Sequence, residues 1–285
     1  MTNEPPAARP ARRTRLTRRG RLVLITGAAL AAIAAVVVPA VVALRTGGTG
    51  EGPAGRPKTL VVPEGWRASQ VYAAVDRALE LPGGATRKAV TGAGLALPEA
   101  AHTNPEGYLF PATYPLDAST TPGGLLGYMV RTANERFGGD RITAGARPHG
   151  ATGYQAVTIA SIVQAEAATM ADMARVSRVV HNRLALDMPL QMDSTLNYAL
   201  NRSTLDTSHA DTRTESPYNT YAHKGLPPTP IGNPGEAAMR AALNPARGDW
   251  LYFVTVKPGD TRFTNRYAEH RQNVEEFNRI RQNAS

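Results

Sequence analysis

A glutamate within an apolar helical pattern is the residue best suited to acid–base chemistry. Residues 158–186, TIASIVQAEAATMADMARVSRVVHNRLAL, predict helix, and the i, i+3, i+4, i+7 spacing puts on one face Ile159, Ile162, Val163 and Glu166. Burial raises the pKa of a carboxyl group and keeps it protonated near neutral pH, as a general acid requires. The same spacing also allows a structural Glu166 that pairs with Arg183 or lies at the helix edge.

A loop rich in aromatic and amide side chains suits sugar binding. Residues 215–235, ESPYNTYAHKGLPPTPIGNPG, show no apolar period that would mark them as core. Aromatic faces pack against pyranose rings, asparagine amides pair with hydroxyl and acetamido groups, and prolines fix the loop shape in advance. We therefore expect glycan contacts from Tyr218, Asn219, Thr220, Tyr221 and Asn233. The alternative is an ordinary surface loop.

A second polar cluster lies in LQMDST, residues 190–195. It supplies Gln191, Asp193 and Ser194 as further candidate substrate-binding residues. Taken alone, the cluster is explained equally well by a turn in which Asp193 caps a helix.

The elements that must position these residues indicate an α+β fold. The helix carrying Glu166 is expected to break between Thr169 and Asp172, with Asp172 capping a second helix. The remaining pattern predicts a strand at 59–62, helices within 68–81, near 86–92, at 122–137 and at 235–243, a β-hairpin turning at 258–260, and a final helix from 267 to about 281. The segment from 138 to about 153 is expected to be a loop. We divide this part into a small α+β module, 58–120, and a catalytic domain, 121–285.

The first 57 residues predict a membrane anchor. Residues 1–21 contain seven arginines and one glutamate, which account for six of the nine net positive charges of the 285-residue chain. Residues 22–44 are uncharged and would span ~34 Å as a helix, enough for a bilayer core of about 30 Å. The positive-inside rule keeps 1–21 in the cytoplasm and places the flexible linker, 45–57, and the later residues outside it. A signal peptide cleaved after Ala43 and a buried soluble helix are the alternatives.

The charge distribution argues against nucleic acid as a partner. The basic arm lies beside the inner membrane face, where anionic lipid is the simpler partner, and the rest of the chain is near neutral. The chain has no cysteine, which excludes a disulfide framework, a lipoprotein anchor and a Cys-based zinc site. Zinc bound by His and carboxylates alone is left open; no metal or cofactor is predicted.

Seven segments between about residues 59 and 278 carry a resemblance to a known family. In chain order they are VVPEGWRASQVY, NPEGYLFPATYPL, ASIVQAEA, NRLALDMPLQMDST, SPYNTYAHKGLPPTPIGNPGEAAMRAALNPA, DWLYFV and YAEHRQNV. Together they resemble the endolytic murein transglycosylase (MltG/YceG-like) family, and YNTY-x3-GLPP-x-P-I-x-NPG is a highly specific signature. Family members usually have two glutamates in the stretch matching SIVQAEA, the second being catalytic. Here Gln164 stands at the first position and Glu166 at the second.

The resemblance implies a single-pass inner-membrane protein whose outer domain acts on peptidoglycan glycan strands beside peptidoglycan synthases. It implies cleavage of the β-1,4 bond between N-acetylmuramic acid and N-acetylglucosamine in nascent strands, which leaves a 1,6-anhydro end and terminates strand elongation. In this chemistry Glu166 alone protonates the leaving oxygen and then takes the proton of the C6 hydroxyl. A LysM-like module at 58–120 is also implied, reduced here because only the linker precedes it.

Two other functions are left open by the sequence. A muramidase would use Glu166 with a second carboxylate, for which Asp193 is the candidate, and would transfer the sugar to water. A non-enzymatic wall-binding scaffold would keep the loop and dispense with Glu166, so the presence of Glu166 counts against it.

Overall fold

The structure is a computed structural model, and it describes residues 58–202, 208 and 210–283. The predicted basic arm (1–21), membrane helix (22–44) and linker (45–57) lie outside the described residues. Within those residues, no helix has both the length and the apolar character needed to cross a membrane. The described residues belong to one compact unit.

Helices dominate this unit, and the strands are short. The strands are β1 (Lys58–Val61), β2 (Thr113–Leu116), β3 (Tyr252–Lys257) and β4 (Asp260–Thr264). The helices are α1 (Ala68–Ala78), α2 (Ala85–Ala89), α3 (Pro122–Phe137), α4 (Gly139–Ala146), α5 (Gly153–Glu166), α6 (Met170–Ala185), α7 (Asp193–Ala199), α8 (Glu236–Leu243) and α9 (Tyr267–Gln282). The α+β class is confirmed, as are the helix at 122–137 and the C-terminal hairpin and helix.

The strands pair within two small antiparallel sheets of the described chain. In the first sheet, Lys58 lies opposite Leu116 and Val61 lies opposite Thr113. Helices α1 and α2 lie between β1 and β2 in the chain. In the second, β3 and β4 form the predicted hairpin, closed by a turn in which Gly259 has a φ of +82°. Glycine adopts this left-handed conformation without the steric cost that a side chain brings.

Helix α5 is the centre of the core. Its residues 156–163 are all buried, and it packs against α4, α6, α7 and α8. The sequence predicted one apolar face on this helix, but the helix is buried on all sides in residues 156–163. The two polar side chains in this stretch have hydrogen bonds. Thr158 Oγ1 donates to Tyr154 O at 3.1 Å, and Ser161 Oγ donates to Thr158 O at 2.8 Å and accepts from Ile231 N at 3.0 Å.

A sharp break separates α5 from α6 directly after Glu166. Ala167 is extended, and Thr169 caps α6 by accepting a hydrogen bond from Asp172 N at 3.2 Å. The expectation that Asp172 is the cap was wrong, because Asp172 is the third residue of α6 and its carboxylate accepts from Thr169 and from Thr261. The break leaves Glu166 at a helix end.

One hydrophobic core crosses the boundary expected at residue 120. Leu60 and Val71 from one side and Leu126 and Ile159 from the other belong to the same continuous cluster. The segment after residue 137 was wrongly expected to be a loop, because Gly138 turns the chain with a φ of +66° and α4 follows at once.

Candidate active site

Glu166 is the last residue of α5, and its half-buried side chain faces the start of α7. Its Oε1 accepts a hydrogen bond from the Ser194 backbone N–H at 3.0 Å. The alternative partner, Arg183, is used elsewhere: it donates to Leu251 O at 2.6 Å and to Leu190 O at 2.8 Å. Among the described residues Glu166 forms no ion pair. The structure therefore favours the interpretation of Glu166 as a carboxyl group held without a cation.

The surroundings of Glu166 favour its protonated form. Burial raises the pKa of Glu166 above its usual value, and the charge of Asp193 raises it further. Ser194 acts in the opposite direction through its N–H and its side chain, although its hydroxyl makes no hydrogen bond of standard geometry with a described residue. The C-terminal end of α5 also carries partial negative charge, which disfavours a carboxylate. Glu166 can thus hold a proton to donate.

Asp193 is a second carboxyl group in the same site. Its Oδ1 accepts a hydrogen bond from the Tyr221 hydroxyl at 2.5 Å. Burial, and then this bond to Asp193, raise the pKa of Tyr221, so Tyr221 remains a donor. Asp193 is the first residue of α7 rather than its cap, which is Met192. The loop and the polar cluster predicted separately from sequence therefore meet beside Glu166.

Asn219 and Thr220 hold the loop in shape and are fully or almost fully buried. The Asn219 amide donates to Thr212 O at 3.0 Å and Thr214 O at 2.8 Å, and its carbonyl accepts from Tyr221 N at 3.0 Å. The Thr220 hydroxyl accepts from Met192 N at 3.0 Å and joins the loop to α7. The polar atoms of these two side chains are used within the protein, and their contact with glycan stays a prediction.

Asn233 is also buried and joins three distant segments. Its amide donates to Trp66 O at 2.7 Å, and its carbonyl accepts from Leu109 N at 2.8 Å. The Asn233 backbone carbonyl accepts from Gly65 N at 2.7 Å. Asn233 is thus a junction between VPEGW, NPEGYLF and IGNPG, and its role in substrate binding stays a prediction.

Gln191, Ser194 and Tyr218 lie at the site in positions of different accessibility. Gln191 is exposed, has an unusual φ of +52°, and accepts from Arg183 Nη1 at 3.1 Å. Ser194 presents its N–H to Glu166. Tyr218 is half-buried, with its hydroxyl 2.9 Å from Thr229 Oγ1 and its ring 4.9 Å from that of Tyr198. Tyr218 therefore stabilises the loop through these two contacts.

Glu106 is a buried carboxyl group that the sequence interpretation missed. Its Oε1 accepts from Ala68 N, at the start of α1, at 2.8 Å, and its Oε2 accepts from the Tyr198 hydroxyl at 3.0 Å. Burial raises the pKa of Glu106 to about 7, although these hydrogen bonds and the charge of Arg67 act against the rise. The signal in the sequence was a glutamate followed directly by the apolar stretch GYLF. Through Tyr198, Glu106 braces α7, whose first turn contacts Glu166.

Gln164 lies away from Glu166 and binds a neighbouring segment. Its Oε1 accepts from Gly235 N, the residue that precedes α8, at 3.0 Å. Gly235 also lies against Glu64, because an added Cβ would come within 1.9 Å of Glu64 Oε1. A glutamate at position 164 would thus place a second carboxylate at Gly235.

A cavity of about 630 Å³ lies at the other end of α5. It is lined by α5 residues up to Ile159, by the loop from Gly225 to Pro228, and by the rings of His149 and His181. Ile159 precedes Glu166 by seven residues, or about 10 Å along the helix. The cavity therefore lies toward the start of α5, and it shares the loop at 225–228 with the candidate glycan-binding segment.

Comparison with known proteins identifies the family of the chain. The sequence profile of the YceG-like family matches residues 31–276. The chain belongs to the YceG-like family. Over 173 residues it is 35% identical to the endolytic murein transglycosylase of Bacillus subtilis strain 168, a match that covers 60% of this chain and 48% of that protein. The endolytic murein transglycosylase of Streptococcus pneumoniae serotype 2, strain D39, is 36% identical over 177 residues, which cover 60% of this chain and 32% of the relative.

The matches span about half the length of these relatives or less. A solved structure supports the fold over a larger part of the chain. The crystal structure of a YceG-like protein from Listeria monocytogenes superposes with a TM-score of 0.67 at 29% sequence identity. The superposition covers 76% of this chain and 75% of that one, so the fold is that of the YceG-like family.

Proposed function

We propose that the chain is an endolytic peptidoglycan lytic transglycosylase. It would cleave the β-1,4 bond between N-acetylmuramic acid and N-acetylglucosamine and leave a 1,6-anhydro-muramic end. The observation that carries the proposal is the Glu166 carboxyl group, which ends a buried helix, has a raised pKa and has no cationic partner among the described residues. Relatives named endolytic murein transglycosylases support the same assignment.

The proposed reaction needs one carboxyl group in two successive roles. Protonated Glu166 donates its proton to the glycosidic oxygen as the bond from C1 to that oxygen breaks. The resulting carboxylate takes the proton of the muramic C6 hydroxyl while O6 forms the new bond to C1. The proton returns to Glu166 and water is not consumed. An intramolecular nucleophile in good geometry gains as much as ~7 to 11 kcal/mol over a bimolecular one.

The Ser194 N–H suits this cycle because it binds the carboxylate more strongly than the acid. A charge-assisted hydrogen bond is about twice as strong as a neutral one, so the anion formed in the first step is stabilised where it appears. Burial and Asp193 pull the pKa upward, and Ser194 limits the rise. The group can thus give up its proton and recover it.

A muramidase is the second candidate, and the position of Asp193 favours it. The charge of Asp193 acts on Glu166, so two carboxyl groups share the site, as in most glycosidases. The hydrogen bond from the Tyr221 hydroxyl argues against a muramidase, because it occupies one Asp193 oxygen that a nucleophile or base would use. The two reactions differ in the origin of the oxygen at the new muramic end.

The deciding experiment is digestion of purified sacculi in ¹⁸O-water by the full chain in detergent, with mass analysis of the products. We expect anhydro-muropeptides without label. Labelled reducing ends would replace the transglycosylase with the muramidase. Glu166→Gln should fold like the parent and release no product, whereas Glu99→Gln, which changes an exposed glutamate, should keep full activity. Undiminished release by Glu166→Gln would contradict both enzymatic proposals, because each needs the Glu166 carboxyl group. No release by the parent chain would leave a wall-binding scaffold.

We propose further that residues 22–44 anchor the chain in the cell membrane, with the N-terminus cytoplasmic and residues 58–285 outside. The length of this apolar segment and the preceding arginines support this. Protease added to spheroplasts should degrade the outer part and leave a membrane-bound N-terminal fragment. A mature N-terminus mapped after Ala43 would contradict the anchor.

We also propose that residues 58–120 form a LysM-like module and that the enzyme works on nascent strands beside peptidoglycan synthases. The order β1–α1–α2–β2, with β1 antiparallel to β2, supports the first part. For the second, cells carrying only Glu166→Gln should make longer glycan strands than cells with the parent. Unchanged strand length would argue against a role in terminating elongation.

A further inference from the structure

Three aromatic rings form a surface cluster where the hairpin meets the last helix. Tyr252 begins β3, and Tyr267 and His270 lie in the first turn of α9. The ring centroids are 5.6 Å apart for Tyr252 and Tyr267 and 5.1 Å apart for Tyr252 and His270. Tyr267 is 61% exposed, an unusual position for a large aromatic side chain. We call these three residues the aromatic platform.

One ring of the platform, that of Tyr252, lies against a fixed guanidinium group. The Arg183 guanidinium lies 5.1 Å from the centroid of the Tyr252 ring, a cation–π distance. Arg183 is itself buried and fixed by its bonds to the backbone carbonyls of Leu190 and Leu251. A rigid aromatic surface loses little conformational entropy when it binds a ligand.

A continuous chain of contacts joins the platform to the candidate active site. Arg183, under the platform, donates to Gln191 Oε1 at 3.1 Å, and Gln191 N donates to Thr220 O at 2.9 Å. Thr220 precedes Tyr221, whose hydroxyl binds Asp193 beside Glu166. Gln191 and Tyr267, which lie on either side of Arg183 in this chain of contacts, are both exposed to solvent.

From this continuity we infer that the aromatic platform is a distal subsite for the glycan strand, in which Tyr267 packs against one pyranose ring away from the cleaved bond. This inference rests on the proposed function, because it takes a glycan as the occupant. The apolar face of the Tyr267 ring suits the apolar face of a pyranose, and Gln191, joined to Tyr252 through Arg183, supplies polar groups that suit an N-acetylated hexose. The subsite binds substrate and takes no part in the chemistry.

The test compares Tyr267→Ala with the parent full chain on uncrosslinked glycan strands of two length classes. If the platform is a distal subsite, long strands reach it from Glu166 and very short ones do not. Tyr267→Ala should raise KM for long strands by about threefold to tenfold, the size expected for one aromatic contact, with kcat and the KM for short strands unchanged. Tyr267→Phe should behave like the parent, because the ring is kept.

Tyr128→Ala is the matched control. Tyr128 is also an exposed tyrosine, 45% accessible, with an aromatic neighbour, Tyr114, and a cationic one, Arg131, but it lies on α3. The Tyr128→Ala variant should leave KM unchanged for both length classes of strand. An equal effect of the two alanine variants, or an equal effect of Tyr267→Ala on long and short strands, would overturn the subsite.

The outcome is separable from that of the proposed function. If the parent cleaves no strand, the lytic proposal fails, and equilibrium binding of long strands to the parent and to Tyr267→Ala then tests the platform alone. Weaker binding by the alanine variant would support the subsite without catalysis. Equal binding would overturn it and leave a stem peptide or a protein partner as the occupant.

Discussion

Replacing Glu106 with glutamine should change how stability depends on pH. Glu106 is only 3% exposed, yet it lies between the start of α1 and the hydroxyl of Tyr198. Glutamine has nearly the same shape; its carbonyl can still accept from Ala68 N, and its amide can donate to the Tyr198 oxygen. The substitution therefore removes the titration while it keeps the contacts.

The magnitude follows from the two pKa values of this group. Its pKa is about 7 in the folded chain against 4.5 for the unperturbed carboxyl. Between these values the folded state binds more protons than the unfolded state, so stability is fully present below pH 4.5 and is lost as pH rises through 7. At 1.36 kcal/mol per pKa unit, the loss amounts to about 3 kcal/mol.

Urea unfolding of the full chain at pH 5, 6, 7 and 8 measures this effect. Glu106→Gln should gain stability relative to the parent as pH rises, by up to about 3 kcal/mol at pH 8. Glu99→Gln, at an exposed position, should track the parent at every pH. A difference between Glu106→Gln and the parent that stays constant from pH 5 to 8 would refute the assignment of a raised pKa to Glu106.

Three further outcomes test the placement of individual residues. Asn219→Ala should lower the free energy of unfolding by about 1 to 3 kcal/mol, because the backbone carbonyl groups bonded to the Asn219 amide lose their hydrogen-bond donor. An unchanged urea midpoint would show that the loop does not need the amide. Gln164→Glu should keep lytic activity within about fivefold of the parent, since it adds only a charge near exposed Glu64; loss as complete as that of Glu166→Gln would contradict this. Gly107→Ala should cost about 1 to 3 kcal/mol in urea unfolding, because φ is +88° and a proline ring lies 2.6 Å from the added Cβ. Gly235→Ala should cost less, because the atoms nearest to its added Cβ belong to the movable Glu64 side chain; equal losses would refute the contrast.

The local features of this protein were determined by its sequence. The helix at 122–137, the hairpin at 252–264 and the α9 helix depend on side-chain periods and turn residues within a few positions of one another. The same holds for Glu166 at the end of an apolar run. The family signature likewise lies in the order of short segments. Each of these signals is complete within its own stretch of chain.

The tertiary structure alone decided which polar side chains are free to meet a substrate. The sequence predicted Asn233 to be a sugar-binding residue, but its side-chain hydrogen-bond partners, Trp66 and Leu109, lie 167 and 124 residues away in the sequence. For Glu106 the only local signal was the apolar stretch GYLF that follows it, whereas its hydrogen-bond partners come from α1 and from Tyr198. A buried polar group is stabilised by whichever donors and acceptors the fold brings to it, and these partners leave no periodic mark in the sequence. For the same reason the meeting of Glu166, Asp193 and Tyr221 could be described only from the folded chain.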